Sequence, residues 1–214
     1  MSNPQHVLQQ VIMNCHQVWD EMNELLADKK LIRNYARRIQ LGPCGGGGNK
    51  DDNNYTIKTE LFPVEALKVY SAYNLGDTIE EEERQKYFSA HRGGSQGDYR
   101  NGMTSKIENV VDCLFKYPKS KRAVITIPDT STPSHFSDDD AKCMREIHFY
   151  LDDDVMNATV LMRAQAAEIF PKNIHFIGSL MERIAENLRA KSGNKVTIGE
   201  LFYLATTLVS VRKD

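Results

Sequence analysis

Residues 146–151 and 155–162 are two apolar, β-rich runs separated only by Asp152-Asp153-Asp154. Runs this close can pair only antiparallel, and the polar residues between them predict a hairpin turn. Three aspartates would also suit a cation, but a hairpin tip in water is the commoner use. A sheet with an apolar face must be covered, and the flanking chain supplies the cover. From Asn173 to Leu188, the residues Ile174, Ile177, Leu180, Met181, Ile184 and Leu188 have the spacing of a long, buried helix. Upstream, Ile107, Val110, Val111, Leu114 and Phe115 predict the apolar face of a second helix, capped by Thr104 or Ser105 and stopping before Pro118. Residues 123–127 read as a short strand, and 196–211 as a strand or a buried helix. The expected class is α+β, with a largely antiparallel sheet covered by helices.

The first part of the chain is less regular. Apolar residues recur at helical spacing from His6 to Ala27, which predicts one amphipathic helix with Asn3 and Pro4 at its start, packing on the core or on a partner subunit. Residues 42–54 (GPCGGGGNKDDNN) form the clearest break. A phosphate-cradling loop is the sharper reading of it. However, the Lys and Ser/Thr of a P-loop are missing, and no helix pattern opens directly behind. Residues 55–61 read as a short strand, and 63–75 as a helix with Pro63 in its first turn and Gly76 just past its end. Glu80 to Glu83 read as a solvated helix face, and 91–103 as a polar, glycine-rich loop. The expected organisation is one domain over 1–214, with 1–54 a helix and glycine-rich loop and 55–214 the core.

Bulk properties exclude several classes. Against 29 acidic residues stand 27 Lys and Arg, so a net charge of −2 gives no general pull toward nucleic acid or anionic membrane. No run of 18 apolar residues is present, so nothing is expected to span a bilayer. MSNPQHVLQQ has neither a basic start nor an apolar core, so no signal peptide is expected. Cys15, Cys44, Cys113 and Cys143 are scattered and form no CxxC pair. Reduced thiols in a cytoplasmic protein are therefore expected, without a metal or disulfide framework. His6 and His16 read as solvated or core-edge residues.

The order helix, Pro, basic pair, strand, cysteine, hairpin, arginine, Pro-x-Asn, long helix resembles that of thymidylate synthases and the related pyrimidine-nucleotide hydroxymethylases. KYPKSKRAVITIP resembles the segment in which two arginines precede a strand. DAKCMREIHFYL resembles the segment of the nucleophile, with Phe149-Tyr150 six and seven residues beyond the cysteine. ATVLMRAQAAEIFPKN resembles the segment leading from an arginine to Pro-Phe-Asn, and YNLGDT the Leu-Gln-Gly-Asp-Thr that ends a helix. The resemblance covers roughly 120 residues, and its weight lies in order and spacing. It implies a thymidylate synthase-like fold, a homodimer and a pyrimidine nucleoside monophosphate as ligand. Cys143 is then the nucleophile that adds to C6 of the ring, which lets C5 attack a one-carbon electrophile. Lys142 and Arg145 would favour its thiolate. On residue type alone, a buried structural cysteine is the alternative. Arg163 resembles the same-subunit phosphate ligand, and Lys121 and Arg122 the pair lent across the dimer interface. Asn173 resembles the amide that reads the pyrimidine edge. It offers both a donor and an acceptor, which hints at uracil over cytosine. His148 and Tyr203 complete the implied substrate-binding set.

Departures from the family pattern are as informative. The helical glutamate used for proton movements falls on Val69, and Glu65, four residues earlier, replaces it only if the register shifts. The family's histidine after the nucleophile is Met144, its serine after the arginine is Ala164, and the following aspartate falls on Ala166. VTIGELFYL resembles Thr-Leu-Gly-Asp-Ala-His-x-Tyr, with the histidine on Phe202, the tyrosine on Leu204, and Tyr203 one place out. Tryptophans that pack a folate are missing, Trp19 being the one tryptophan, and the long C-terminal portion after this motif is missing as well. The one-carbon donor is thus open, a reduced folate being what the resemblance implies. Two classes of function follow: a diverged C5 transferase acting through Cys143, or a non-catalytic nucleotide-binding or structural relative.

Overall fold

A computed structural model describes residues 11–42, 53–88, 92, 97–127 and 142–210. Strands β4 (Met144–Asp152) and β5 (Val155–Met162) form the expected hairpin. Asp153 closes it at φ 51, a left-handed conformation that Asp tolerates better than most residues. Alternation sends Met144, Ile147 and Phe149, with Ala158, Val160 and Met162 opposite them, into the core. β3 (Val124–Thr126) extends the β4 edge antiparallel. The other edge of β5 is taken in parallel by β7 (Thr197–Val209). A parallel neighbour needs a crossover, and helix α5 (Phe170–Ser192) supplies it.

β7 then pairs antiparallel with β2 (Leu31–Gln40), and β1 (Ile12–Met13) lies at the edge beyond. With the two-residue β6 (Gln165–Ala166) beside β7, the seven-stranded sheet has the order β1-β2-β7-β5-β4-β3. Class and covering match the expectation: α+β, largely antiparallel, with one hydrophobic core between sheet and helices.

Helix α5 anchors that core. Ile174, Ile177, Leu180, Met181, Ile184 and Leu188 are buried as the spacing predicts, and together contribute on the order of 10 kcal/mol of transfer free energy. Gly193 (φ 72) ends the helix in the left-handed region. Helix α2 (Val64–Leu75) packs on α5, with Pro63 as its N-cap and Gly76 (φ 93) as its C-cap. The short α3 (Glu81–Tyr87) is solvated, as its acidic run implies, and Glu81 pairs with Arg84.

Several expectations are corrected. Among the described residues the first helix is α1 (Cys15–Leu25), so the expected helix does not run through residues 11–14, and His6 lies outside the described residues. Asn14 forms a capping box with Gln17, and Ile12 and Met13 pair as β1 instead. Asn3 and Pro4 lie outside the described residues, as does most of the glycine-rich stretch. Residues 55–61 form no strand. They bury Tyr55 and Ile57 individually, and a turn between Thr59 and Phe62 bends the chain back. Helix α4 (Met103–Lys116) is capped by Gly102 (φ 65), not Thr104 or Ser105, and its Phe115 is exposed under Lys191 rather than buried. The 196–211 alternative resolves as a strand. β2 was not expected, because its arginines break the apolar alternation. They are used in ion pairs, Arg37 with Glu21 and Arg38 with Glu200. Among the described residues no helix is long and apolar enough to cross a membrane.

Where α5 meets Tyr55, a glycine is required. A Cβ on Gly178 would fall inside contact distance of the buried Tyr55 ring. Gly178→Ala gains about 1 kcal/mol of helix propensity but overpacks a closed core, which costs about 1–3 kcal/mol. The variant should unfold at lower urea than the parent. An unchanged or raised midpoint would mean that Tyr55 is free to move.

Candidate functional site

Cys143 immediately precedes β4, and Arg163 immediately follows β5. The Met144–Met162 pairing sets them side by side, and the Arg163 N–H donates to the Cys143 carbonyl at 2.7 Å. Beyond Arg163, β6 carries the chain along β7 and a 3-10 turn at Ala167–Ile169 leads into α5. The chain thus returns Asn173, in the first turn of α5, to Gln165.

Gln165 is buried and organises that corner. Its Oε1 accepts from the Tyr203 hydroxyl at 2.5 Å and from Asn173 Nδ2 at 2.9 Å, while its Nε2 donates to the Ala166 carbonyl at 2.6 Å. These bonds fix both amides, since the Gln165 nitrogen is committed to a carbonyl and its oxygen must face donors. Asn173 therefore turns its nitrogen to Gln165 and leaves Oδ1 buried with no hydrogen-bond partner. A buried carbonyl of this kind is a position for an N–H donor.

The opposite wall comes from α2 and the loop before α4. Asn74 is fully buried. Its Oδ1 accepts from the Tyr99 N–H at 2.6 Å, and its Nδ2 donates to the Tyr70 and Gly97 carbonyls. The Tyr70 hydroxyl also donates to the Gly97 carbonyl, at 2.7 Å. Tyr99 lies against Phe176, and its hydroxyl meets the backbone N–H of Met144, next to Cys143. Lys172, 2% exposed, donates to the Arg92 carbonyl at 2.6 Å and lies 4.7 Å from the Tyr70 ring centre.

Electrostatics tie these groups to the sulfur. Burial pushes the Tyr70, Tyr99 and Tyr203 phenols up, and the Cys143 charge adds to each, so all three remain O–H at neutral pH. Burial pushes the Lys172 ammonium down to about 8, against an upward pull from Cys143.

Of the residues singled out from sequence, Cys143, Arg163, Asn173 and Tyr203 are brought together. Tyr203 faces the core while Phe202 and Leu204 point to the other side of the sheet, as alternation along β7 requires. Glu65 is not brought in. It is exposed in the first turn of α2, on the face opposite Tyr70 and Asn74. Lys121, Arg122 and His148 are exposed as well. Lys121 and His148 border an open cavity of about 420 Å³ with Asp152, at the far end of β4, roughly 25 Å along the strand from Cys143. His148 pairs there with Glu146 at 3.1 Å. Lys142 and Arg145 are half-buried neighbours of Cys143 in sequence, and Asp138 to Asp140 lie outside the described residues. Among the described residues no group of three or more His, Cys, Asp or Glu side chains could hold a metal ion.

Tyr70, Asn74, Tyr99, Gln165 and Lys172 were missed. Two of them carried a readable signal: a tyrosine in an otherwise polar loop, and a lysine inside the apolar run FPKNIHF. No known protein-family model matches the chain, and no curated protein matches it either. Chemically, the cluster offers one sulfur nucleophile, a guanidinium, an ammonium, neutral phenol donors and one unfilled acceptor.

A second buried pair lies deeper. His175 Nδ1 is 2.6 Å from Ser71 Oγ, and burial, with the Lys68 charge, pushes the imidazole from 6.5 down to about 4. Below pH 6.5 the unfolded chain takes up this proton and the native one does not. Stability therefore falls as pH drops from 6.5 toward 4, by roughly 3 kcal/mol at most. In urea titrations across that window His175→Gln should lose this component of the pH dependence. Equal slopes for variant and parent would contradict a neutral, buried His175.

Proposed function

We propose that the protein is a diverged pyrimidine-nucleotide C5 transferase of the thymidylate synthase type, with Cys143 as the C6 nucleophile. One arrangement supports the reading above the others. The backbone bond from Arg163 to Cys143 sets these two residues side by side, and the Asn173 carbonyl without a partner lies where the chain from Arg163 meets the first turn of α5. A nucleoside monophosphate has the complementary groups: a phosphate for Arg163 and a ring N–H for Asn173 Oδ1.

The chemistry follows from those roles. The Cys143 thiolate forms a bond to C6, and the C5–C6 π pair moves toward C4–O4 as an enolate. Neutral phenols such as Tyr99 are suited to donate to developing negative charge. C5 then bonds to a one-carbon electrophile at the aldehyde level of oxidation. Loss of the C5 proton and expulsion of the thiolate restore the double bond.

A reduced folate does not fit the residues present. Trp19 is held by its indole N–H on the Ala167 carbonyl, at a cavity of about 480 Å³ lined with Asn23, Glu60, Arg92 and Glu168. That lining includes none of Cys143, Arg163 and Asn173. No step is therefore assigned to a folate. The second reading, a nucleotide-binding relative without turnover, is favoured by one observation, the exposure of Glu65 on the far face of α2.

Arg163→Ala should weaken binding of a pyrimidine nucleoside monophosphate by tens of fold, as loss of a charge-assisted bond of about 2 kcal/mol requires. Calorimetric titration with uridine and deoxyuridine monophosphates would measure it, and unchanged affinity would remove the phosphate role.

The reading also includes a homodimer joined through the sheet. Ala36, Thr159, Leu161, Phe202 and Leu204 lie on the face away from the core and are only half-buried. Sedimentation at micromolar concentration should give a dimer. A monomer would contradict that part and would leave Lys121 and Arg122 without a role in trans.

A further inference from the structure

An amide side chain has a donor end and an acceptor end, and a buried one is oriented by any neighbour that can play only one part. Between β6 and α5 that neighbour is the Ala166 carbonyl, which can only accept. Gln165 therefore gives it Nε2, at 2.6 Å, and turns Oε1 the other way. Oε1 in turn needs donors, and takes Asn173 Nδ2 at 2.9 Å and the Tyr203 hydroxyl at 2.5 Å. Reversing Gln165 would set its oxygen against the Ala166 carbonyl. Reversing Asn173 would set two amide oxygens against each other. Each reversal loses a bond and adds a repulsion among side chains that are all buried, where bulk water does not compete.

A polarity is thus handed from a main-chain carbonyl through Gln165 to Asn173. The Asn173 donor is taken within the protein, and Oδ1 is left as a buried acceptor that no described residue fills. Tying α5 to β6 requires only the donor and gives no account of the acceptor. Read from sequence, the amide offers both ends, which hints at uracil over cytosine; in place it offers one. Uracil can meet Oδ1 with N3–H and cytosine with its 4-amino group, so the shared requirement is an N–H on that edge of the ring.

We propose that Gln165 is a specificity-determining positioning residue. By holding the Asn173 amide with Oδ1 free, it makes the site select a ring edge that carries an N–H donor and reject an edge that carries only lone pairs. The inference rests on the reading of this corner as a nucleotide site, but on neither the chemistry of Cys143 nor a one-carbon donor.

The test is calorimetric titration of the full chain with the monophosphates of deoxyuridine, deoxycytidine and the pyrimidin-2-one deoxynucleoside, whose ring edge has the N3 lone pair and no N–H. The parent should bind at least one of the first two about tenfold or more tighter than the third, because a buried acceptor left facing a lone pair is costly. In Gln165→Met, which keeps the length without an amide, Asn173 can rotate to present Nδ2, and the gap should close to about threefold or less. Tyr203→Phe removes a buried hydroxyl from the same corner but leaves the order Ala166, Gln165, Asn173, so it should keep the parent's gap. That control separates polarity from packing. An equally wide gap in a natively folded Gln165→Met, by circular dichroism, would overturn the proposal. So would a parent that binds the pyrimidin-2-one nucleotide as tightly as the other two, and this arm decides alone if Gln165→Met does not fold. Hydrogen exchange of the Asn173 side-chain amide, followed by nuclear magnetic resonance without nucleotide, should be slow in the parent and fast in Gln165→Met. Exchange in the parent as fast as that of an exposed asparagine would overturn the lock. If no nucleotide binds while exchange is slow and depends on Gln165, the nucleotide reading fails and the lock stands.

Discussion

Strand β5 is paired on both edges, antiparallel to β4 and parallel to β7, and the candidate site follows from that double pairing. The antiparallel edge places Cys143 against Arg163. The parallel edge needs a crossover, and the crossover is α5, whose first turn carries Lys172 and Asn173. The same edge brings Tyr203 opposite Val160, facing the core. Five residues spread over 60 positions of sequence therefore converge on the end of one strand.

What surrounds the sulfur is mostly neutral and buried. Three tyrosines stay protonated, Gln165 holds the Asn173 amide, Asn74 holds the Tyr99 N–H, and the charges nearby are the cations Arg163 and Lys172 with one carboxylate, Asp98. Such surroundings favour a negative charge placed among them, whether a thiolate, an enolate oxygen or a phosphate. The buried Lys172 is held among them by the Arg92 carbonyl and the face of the Tyr70 ring. The exposed basic residues near Tyr117 and Lys121 lie on a different surface of the same chain.

Much of the architecture was legible in the sequence because each element had a local cause. The hairpin could be read from a polar turn between β-rich runs, α5 from six apolar residues at helical steps, and the end of α2 from Gly76. β2 was not legible, since its arginines are stabilised by Glu21 and Glu200, partners that only the fold supplies. For the same reason the range 6–27 looked like one helix, whereas pairing of Ile12 and Met13 with β2 competes with helix until the Asn14 cap. In the site, Cys143, Arg163, Asn173 and Tyr203 could be named from order and spacing. Glu65 could not be judged without knowing which face of α2 turns inward. Gln165 had no reading in sequence, because a buried amide becomes meaningful only with its partners in place, and Lys172 stood out only as a lysine within an apolar run.

The central claim is that Cys143 adds to C6 of a pyrimidine held by Arg163 and Asn173. The most direct measurement is intact-mass and peptide mass spectrometry after incubation with a 5-fluoropyrimidine nucleoside monophosphate, with and without a one-carbon donor. Fluorine in place of the C5 hydrogen blocks the elimination that would release the sulfur. The account predicts a covalent adduct confined to the Cys143 peptide and absent in Cys143→Ser. A protein that binds the nucleotide yet forms no adduct at Cys143 under either condition would contradict it.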